Sequence, residues 1–319
     1  MKILVTGAAG FIGFHISNHF LKRKIKVIGI DNLDDYYSVD LKKKRLSILK
    51  KNKNFKFIKI DISSNKLNNI LKRHYFDIII HLAAQAGVRY SLINPKKYIQ
   101  SNIKGFGNLF ENINTKNLKK VIYASSSSVY GDTKKFPLKE TYLANPKNIY
   151  SLSKKNNEEM AEIFSKQFKI ELIGLRFFTV YGEWGRPDMF FFKIFKSIFT
   201  KKKFRLNNSG NHDRDFTYID DSCDILLRLI NKKIKKKYDV YNICSNNPVN
   251  IKKIINFIKL RISSNLKIEN TSRNMLDVKK THGSNKKILS LVGRKKFTRY
   301  QDVVGEIFDW YKTNKIYKY

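Results

Sequence analysis

Short runs of β-branched and aromatic residues recur along the first half of the chain, each followed by a stretch whose apolar positions repeat at helical spacing. Lys2 to Thr6, Lys26 to Asp31, Phe55 to Asp61, Phe76 to Leu82, Lys120 to Ser125 and Glu171 to Phe177 read as strands. Strands that alternate with helices predict a parallel sheet, because each parallel connection has to cross back over a sheet face. Ile78-Ile79-Ile80 is apolar at consecutive positions, as a strand covered on both faces requires. The expected fold class is α/β, a doubly wound parallel sheet.

After Phe178 the rhythm changes. Tyr181 to Asp188 is rich in Gly and Pro with a Trp, Met189 to Phe199 is an aromatic stretch, and a basic turn follows. A smaller substrate-binding lobe is expected to begin near Thr179 and to take up most of residues 179–319. A helix at Asp220 to Leu229 and a strand at Asp239 to Ile243 are expected to return, over about 220–245, to the sheet built by residues 1–178. No internal repeat and no Pro- or Ser-rich linker is visible.

Composition narrows the classes. With 42% hydrophobic and 13% aromatic residues in 319, the chain can bury a full core. A net charge of +38 would by itself suggest a polyanion partner. The lysines, however, fall in short runs along the whole chain (Lys42 to Lys44, Lys201 to Lys203, Lys235 to Lys237) among abundant Asn and Ile, the mark of a compositional bias on solvated faces. Neither zinc-finger spacing nor a ribonucleoprotein motif accompanies the charge, so no specific nucleic-acid partner is expected. Cys223 and Cys244 cannot build a secreted disulfide framework, which points to a reducing cytoplasm. The chain opens directly on Ile3-Leu4-Val5 without a signal-peptide pattern, and no apolar run approaches bilayer length, so a soluble protein without membrane insertion is expected.

The first strand runs into Thr6-Gly7-Ala8-Ala9-Gly10-Phe11-Ile12-Gly13 and then an amphipathic helix. Glycines at such a turn let backbone approach a pyrophosphate, and the helix N-terminus offers it amides and a positive dipole end. The spacing is G-x-x-G-x-x-G, and its place between strand and helix makes the sheet Rossmann-type. Asp31, ending the second strand, can accept hydrogen bonds from the adenosine ribose and would repel a 2′-phosphate, which favours NAD over NADP. The alternative is a turn or capping aspartate, since Asn32, Asp34 and Asp35 make the loop acidic anyway. Asp61-Ile62, ending the third strand, would border the adenine.

Tyr150-Ser151-Leu152-Ser153-Lys154 opens a helix with an apolar stripe at Met160, Ile163, Phe164 and Phe168, and its i,i+4 spacing points the phenol and the ammonium the same way. A lysine and an oxidised nicotinamide nearby favour the phenolate of a group whose ordinary pKa is about 10, which makes Tyr150 a candidate base. Alone the pair could equally be a half-buried Tyr beside a surface Lys. The strand end Ala124-Ser125-Ser126-Ser127-Ser128-Val129-Tyr130-Gly131 upstream supplies a row of hydroxyls that a plain strand end does not need.

Taken together, the glycine turn, His81-Leu82-Ala83-Ala84-Gln85-Ala86-Gly87-Val88-Arg89-Tyr90, the serine run, the Tyr150/Lys154 pair, Leu175 to Gly182, Gly185-Arg186-Pro187-Asp188-Met189 and Arg214 to Asp221 resemble the extended short-chain dehydrogenases that epimerise UDP-sugars. The serine run, Leu175-Arg176-Phe177-Phe178-Thr179 and the Gly185 to Met189 loop look like the UDP-glucuronate 4-epimerases among them. The resemblance is specific from residue 1 to near residue 230 and then thins.

What the resemblance implies is a bound NAD, held by Gly7, Gly10, Phe11, Ile12, Gly13, Asp31, Asn32, Asp61, Ile62, Leu82, Ala83 and Ala84 with Tyr150 and Lys154. Tyr150 would take the proton of the sugar 4-hydroxyl as NAD takes the C4 hydride, Ser126 would bond the reacting oxygen, and Lys154 would hold the nicotinamide ribose and tune Tyr150. The 4-keto sugar would turn over and regain the hydride on its other face. Dehydratases of the superfamily carry an Asp-Glu pair, and uronate decarboxylases a Glu, where this chain has Ser127 and Ser128. Those hydroxyls, with Thr179 and Arg186, would hold a carboxylate that a β-keto acid otherwise tends to lose. Arg214 matches the arginine on the UDP diphosphate and Asp277 the aspartate at the uridine ribose, although Asn274-Met275-Leu276 replaces the usual proline and glycine there, and Arg273 could substitute in the phosphate contact. The six histidines lack metal-ligand spacing, so no metal is expected. The helices around Tyr98 to Phe110 and Tyr150 to Phe168 form a dimer bundle in relatives, which implies a homodimer. Rival readings are a UDP-glucose/UDP-galactose 4-epimerase, a UDP-glucuronate decarboxylase and a dinucleotide-sensing protein without chemistry, the last disfavoured by an intact Ser126, Tyr150 and Lys154.

Overall fold

The computed structural model describes residues 1–111, 113–272 and 278–319. Its strands are β1 (Lys2–Thr6), β2 (Lys26–Asp31), β3 (Phe55–Lys59), β4 (Ile78–His81), β5 (Lys120–Ser126), β6 (Glu171–Phe177), β7 (Thr179–Tyr181), β8 (Phe204–Asn207), β9 (Asp213–Tyr218), β10 (Tyr238–Ile243), β11 (Pro248–Asn250) and β12 (Ile268–Thr271). Seven of them form one sheet in the order β10-β6-β5-β4-β1-β2-β3, with every neighbouring pair parallel.

Alternation along these strands builds two cores. Ile3, Val5, Val27, Ile78, Ile80, Ile122, Ile173 and Leu175 pack on one face with Phe14 and Ile16 of helix Phe11–Lys22 and Leu226 of helix Ile219–Leu229. Leu4, Ile28, Ile79, Val121 and Leu172 pack on the other with Leu67, Phe106, Leu109 and Ala161. Successive side chains point to opposite faces, so strands that are apolar throughout need helices on both, and each buried Ile or Leu contributes about 1.5–3 kcal/mol. This is the doubly wound sheet expected from the sequence.

Two strands stop short of their expected ends for local reasons. The Asp61 carboxylate accepts from the Ser63 amide at 2.8 Å and turns the chain after Lys59. The Leu82 amide is shared between the Thr6 carbonyl and hydroxyl, and the Ala83 amide goes to that hydroxyl at 3.0 Å, so the ladder gives way after His81.

The chain lays β2 and β3 to one side of β1, then crosses to the other side for β4, β5 and β6. That reversal opens a crevice at the carboxyl ends of β1 and β4, where open sheets of this kind take their ligands. β7, β9 and β11 form a small sheet of their own, and β8 pairs with β12. The aromatic stretch folds as helix Phe190–Phe199, with the rings of Phe192 and Phe195 each 5.4 Å from that of Tyr311. β10 then joins β6 at the edge of the large sheet. Lys201 to Lys203 and Lys235 to Lys237 are exposed, but Lys42 is buried with its ammonium over the Tyr37 ring. Among the described residues no helix is long and apolar enough to cross a membrane.

Candidate active site

The glycine turn is close-packed against the start of the loop after β4. A Cβ on Gly7 would lie 2.8 Å from the Ala83 amide nitrogen, and one on Gly13 would lie 2.0 Å from the Gly7 carbonyl oxygen. Gly7 also holds φ at 72°, where only glycine is unstrained. Gly10 is the N-cap of helix Phe11–Lys22 and no side chain caps it, so the positive end of that helix faces the crevice. Gly7, Gly10, Phe11, Ile12, Gly13, Asp31, Asn32, Ile62, Leu82, Ala83 and Ala84 all line one cleft.

Asp31 is tied into the loop by its carboxylate. One carboxylate oxygen accepts from the Ala9 amide at 3.1 Å and the other from Leu33 at 2.8 Å, and burial pushes its carboxyl above the usual range. It is a turn aspartate that also lies on the cleft wall. Asp61, expected beside the adenine, takes the Asn32 amide at 2.8 Å and the Ser63 hydroxyl at 2.7 Å, between the cleft-lining Ile60 and Ile62. Burial would raise its carboxyl, but those bonds hold it below the usual range. Its carboxylate also fixes the Asn32 side chain.

Tyr150 and Lys154 are placed by helix Ile149–Phe168, whose start is fixed by a capping box: the Asn148 side chain accepts from the Ser151 amide at 2.9 Å and the Ser151 hydroxyl from the Asn148 amide at 3.2 Å. Tyr150 therefore sits in the first turn and Lys154 one turn below. β5 ends at Ser126, and a short 3-10 turn, Ser127–Tyr130, continues from it. The Ser126 hydroxyl caps that turn through the Ser128 amide at 3.2 Å and touches the Ser128 hydroxyl at 2.6 Å, and it lies near enough to Tyr150 to favour the phenolate.

The electrostatics of the pair depart from the simple picture of a lysine beside a phenolate. Lys154 is buried and donates to the Ala124 carbonyl at 2.8 Å, and burial brings its ammonium down to about 8. Burial pushes the Tyr150 phenol up, opposed by the Ser126 hydroxyl and the Arg186 charge. Beneath them His81 spans β1 and β4, 2.9 Å from the Thr6 hydroxyl, and burial brings its imidazole down to about 3, so it is a neutral structural group.

Thr179, Arg186 and Arg214 line the same cleft as Tyr150. Arg186 is held in a two-pronged pair by Asp188, with Nε at 2.9 Å and Nη2 at 2.6 Å from the carboxylate. Burial opposes its charge and Asp188 more than restores it. Arg214 donates to the Asp213 carbonyl at 2.8 Å. Asp277 and Arg273 lie outside the described residues. Among the described residues no cluster of His, Cys, Asp or Glu is arranged to hold a metal ion.

Two residues of the site escape sequence reasoning. Tyr36 lines the cleft and donates to Asp188 at 3.2 Å. Arg45, fully buried, donates to the Ala9 carbonyl at 2.9 Å and to the Trp184 and Gly185 carbonyls, tying the glycine turn to the loop that carries Arg186. Tyr36-Tyr37 reads as an aromatic surface turn, and Arg45 is hidden in the basic run that begins at Lys42.

A doubly wound parallel sheet with a glycine turn and a buried carboxylate on one side of its crevice and a Ser/Tyr/Lys set on the other defines a dinucleotide-dependent enzyme of the short-chain dehydrogenase class. Within that class the chain belongs to the NAD dependent epimerase/dehydratase family, whose model matches residues 3–244. It is 36% identical to a UDP-glucuronate 4-epimerase of Thermodesulfobacterium geofontis, over 98% of this chain and 96% of that one. With UDP-glucuronate 4-epimerase 4 of Arabidopsis thaliana it shares 37% identity over 98% of this chain and 75% of the relative. The structure of a UDP-glucuronic acid 4-epimerase from Bacillus cereus, in complex with UDP-glucuronic acid and NAD, superposes with a TM-score of 0.91 at 32% identity, over 98% of this chain and 100% of that one.

Proposed function

We propose that the protein interconverts UDP-glucuronate and UDP-galacturonate through a 4-keto intermediate, using NAD that stays bound through the cycle. The observation that carries this reading is that Ser126, Tyr150 and the Arg186 cation line one cleft, with the Arg186 charge close enough to act on the phenol, so that a sugar presenting its 4-hydroxyl to the phenol would have a cation available for its carboxylate.

The glycine turn, Asp31 and Asn32 would hold the dinucleotide, which when bound supplies reversible hydride acceptance at sugar C4. Tyr150 accepts the proton of the 4-hydroxyl and returns it after the sugar has turned over. Ser126 bonds the same oxygen, and Lys154, anchored to the Ala124 carbonyl, keeps a cation beneath the site. Ser127, Ser128, Thr179 and Arg186 bind the carboxylate, whose retention keeps the 4-keto acid from losing carbon dioxide. Arg214 and Asp277 serve the diphosphate and the uridine. We assign residues 1–178, with 220–245, to the dinucleotide domain and the remainder to the UDP-sugar lobe. A homodimer is supported by Leu92, Ile93, Ile99, Leu152 and Ile163, large apolar side chains left exposed on the helical segments Tyr90–Ile93, Ile99–Lys104 and Ile149–Phe168. A reducing cytoplasm suits the two free, buried cysteines.

The test is incubation with UDP-glucuronate and no added cofactor, followed by NMR of the anomeric protons. UDP-galacturonate should accumulate to an equilibrium mixture with the carboxylate retained. UDP-pentose as the main product would reassign the enzyme to the decarboxylases, and turnover of UDP-glucose alone to the galactose epimerases.

A further inference from the structure

The loop that leaves the dinucleotide side of the cleft ends against the substrate side. From Asp31 onward it is a ladder of side-chain turns: Asp31 accepts from the Leu33 amide at 2.8 Å, Asn32 from Asp34 at 3.0 Å, and Asp34 from Tyr36 at 2.8 Å. Such turns fix a loop without regular structure. The phenol at its end is enclosed. A Cβ on Gly87 would lie 2.2 Å from the Tyr36 oxygen, the Tyr90 ring is 4.8 Å away centre to centre, and the Asp188 carboxylate receives the hydroxyl hydrogen at 3.2 Å. Burial, with Asp188 beside it, raises the phenol, so it stays a donor at neutral pH.

The same carboxylate grips Arg186 through Nε and Nη2. That grip fixes the plane of the guanidinium and leaves its Nη1 end without a partner among the described residues. Side-chain exposures of 23% for Arg186 and 28% for Asp188 leave the pair open to a ligand. Arginine has five donors in a rigid fork, so a second carboxylate can be bound while the first orients it. An Arg–Asp pair without the phenol would be free to swing about the Asp188 side chain.

We propose that Tyr36 and Asp188 are positioning residues that fix the Arg186 fork for the sugar carboxylate, and so determine selectivity for a uronic acid over a sugar without one. The inference rests on Arg186 as the carboxylate's partner.

The test compares affinities for UDP-glucuronate and UDP-xylose, the same sugar lacking the carboxylate, by calorimetry on the NAD-loaded protein. Tyr36→Phe should weaken UDP-glucuronate about threefold to tenfold, the loss of one hydrogen bond to a charged group acting at one remove, and leave UDP-xylose within about twofold. Asp188→Asn separates orientation from charge. Removing a negative charge beside an anion site should by Coulomb attraction alone tighten UDP-glucuronate, whereas loss of the fork's orientation weakens it, and weakening is expected. In an Arg186→Ala background neither substitution should change the ratio of the two affinities further. Equal weakening of both ligands by Tyr36→Phe, no effect of it, tighter UDP-glucuronate binding in Asp188→Asn, or an undiminished effect in the Arg186→Ala background would each overturn the proposal. If Arg186→Ala itself leaves the ratio unchanged, the reading of Arg186 fails, which is a separate result from failure of Tyr36 in a protein where Arg186 does matter.

Discussion

Replacing Glu158 by Gln should damage the protein far more than so small a change suggests. Glu158 lies one turn below Lys154, with its side chain 2% exposed, and its carboxylate takes the Arg176 guanidinium at 2.8 and 2.7 Å. The Ser125 hydroxyl donates to it at 2.6 Å, which braces the residue before Ser126 against the helix that carries Tyr150. Burial disfavours the Arg176 charge and Glu158 more than restores it. Gln keeps the shape but removes the counter-charge and turns one acceptor into a donor facing another donor. Breaking a buried pair from one side costs about 3–5 kcal/mol. Arg176 retains the Tyr130 ring, 4.7 Å from its guanidinium carbon, and the Glu140 carbonyl at 3.4 Å, so the lower end applies. About 3 kcal/mol corresponds to a fall in Tm on the order of 5 °C for a chain of this length. Urea unfolding of the parent, Glu158→Gln, Arg176→Met and the double variant is the assay. The double variant should be more stable than the sum of the single losses predicts, by more than about 1 kcal/mol. Additive losses, or a single-variant cost below about 1 kcal/mol, would refute the picture of a mutually dependent buried pair.

Three further outcomes are expected. Tyr150→Phe should lower kcat by at least about 100-fold while the purified protein still carries NAD, and activity within about tenfold of the parent would mean that another group accepts the proton. Gly13→Ala, whose Cβ would lie 2.0 Å from the Gly7 carbonyl oxygen, should strip NAD from the purified protein, as read by nucleotide absorbance of the denatured supernatant; full retention would contradict the packing of the turn. Burial raises the Asp215 carboxyl to about 6 against the Ser245 hydroxyl and the Gly283 amide, so stability present below its unfolded value, near 3.9, is lost as pH rises through 6, by about 3 kcal/mol. The stability of the parent relative to Asp215→Asn should therefore fall between pH 4 and 7 in urea titrations, and a constant difference would show that the carboxyl is not so shifted.

The large sheet was legible because its strands are apolar on both faces and alternate with helical patterns: Ile78-Ile79-Ile80 beside Ile3-Leu4-Val5 fits a parallel sheet covered by helices. The glycine turn was legible for the same kind of reason, since backbone contacts as close as those of Gly7 and Gly13 leave a composition signature. Strand ends were not, because Asp61 and Thr6 end or bend the ladders through side-chain bonds that periodicity does not register. The orientation of Lys154 toward a carbonyl, the capture of Arg186 by Asp188, and the arrival of Tyr36 from far along the chain are tertiary facts. Helical spacing says which way Tyr150 and Lys154 leave their helix, but not what each meets there.

The order of strands in the large sheet also bears on how the protein is made. β6 is finished at Phe177, yet its outer neighbour β10 ends only at Ile243, after β7, β8 and β9 have been laid down. A chain emerging from the ribosome therefore carries, for all that interval, a long apolar strand with one unpaired row of amides and carbonyls, a template for pairing with other chains. A gene cut after residue 178 would make that transient state permanent. The portion that looks most like a transplantable module is the portion that cannot be shipped alone: its last strand is delivered by a segment from far downstream.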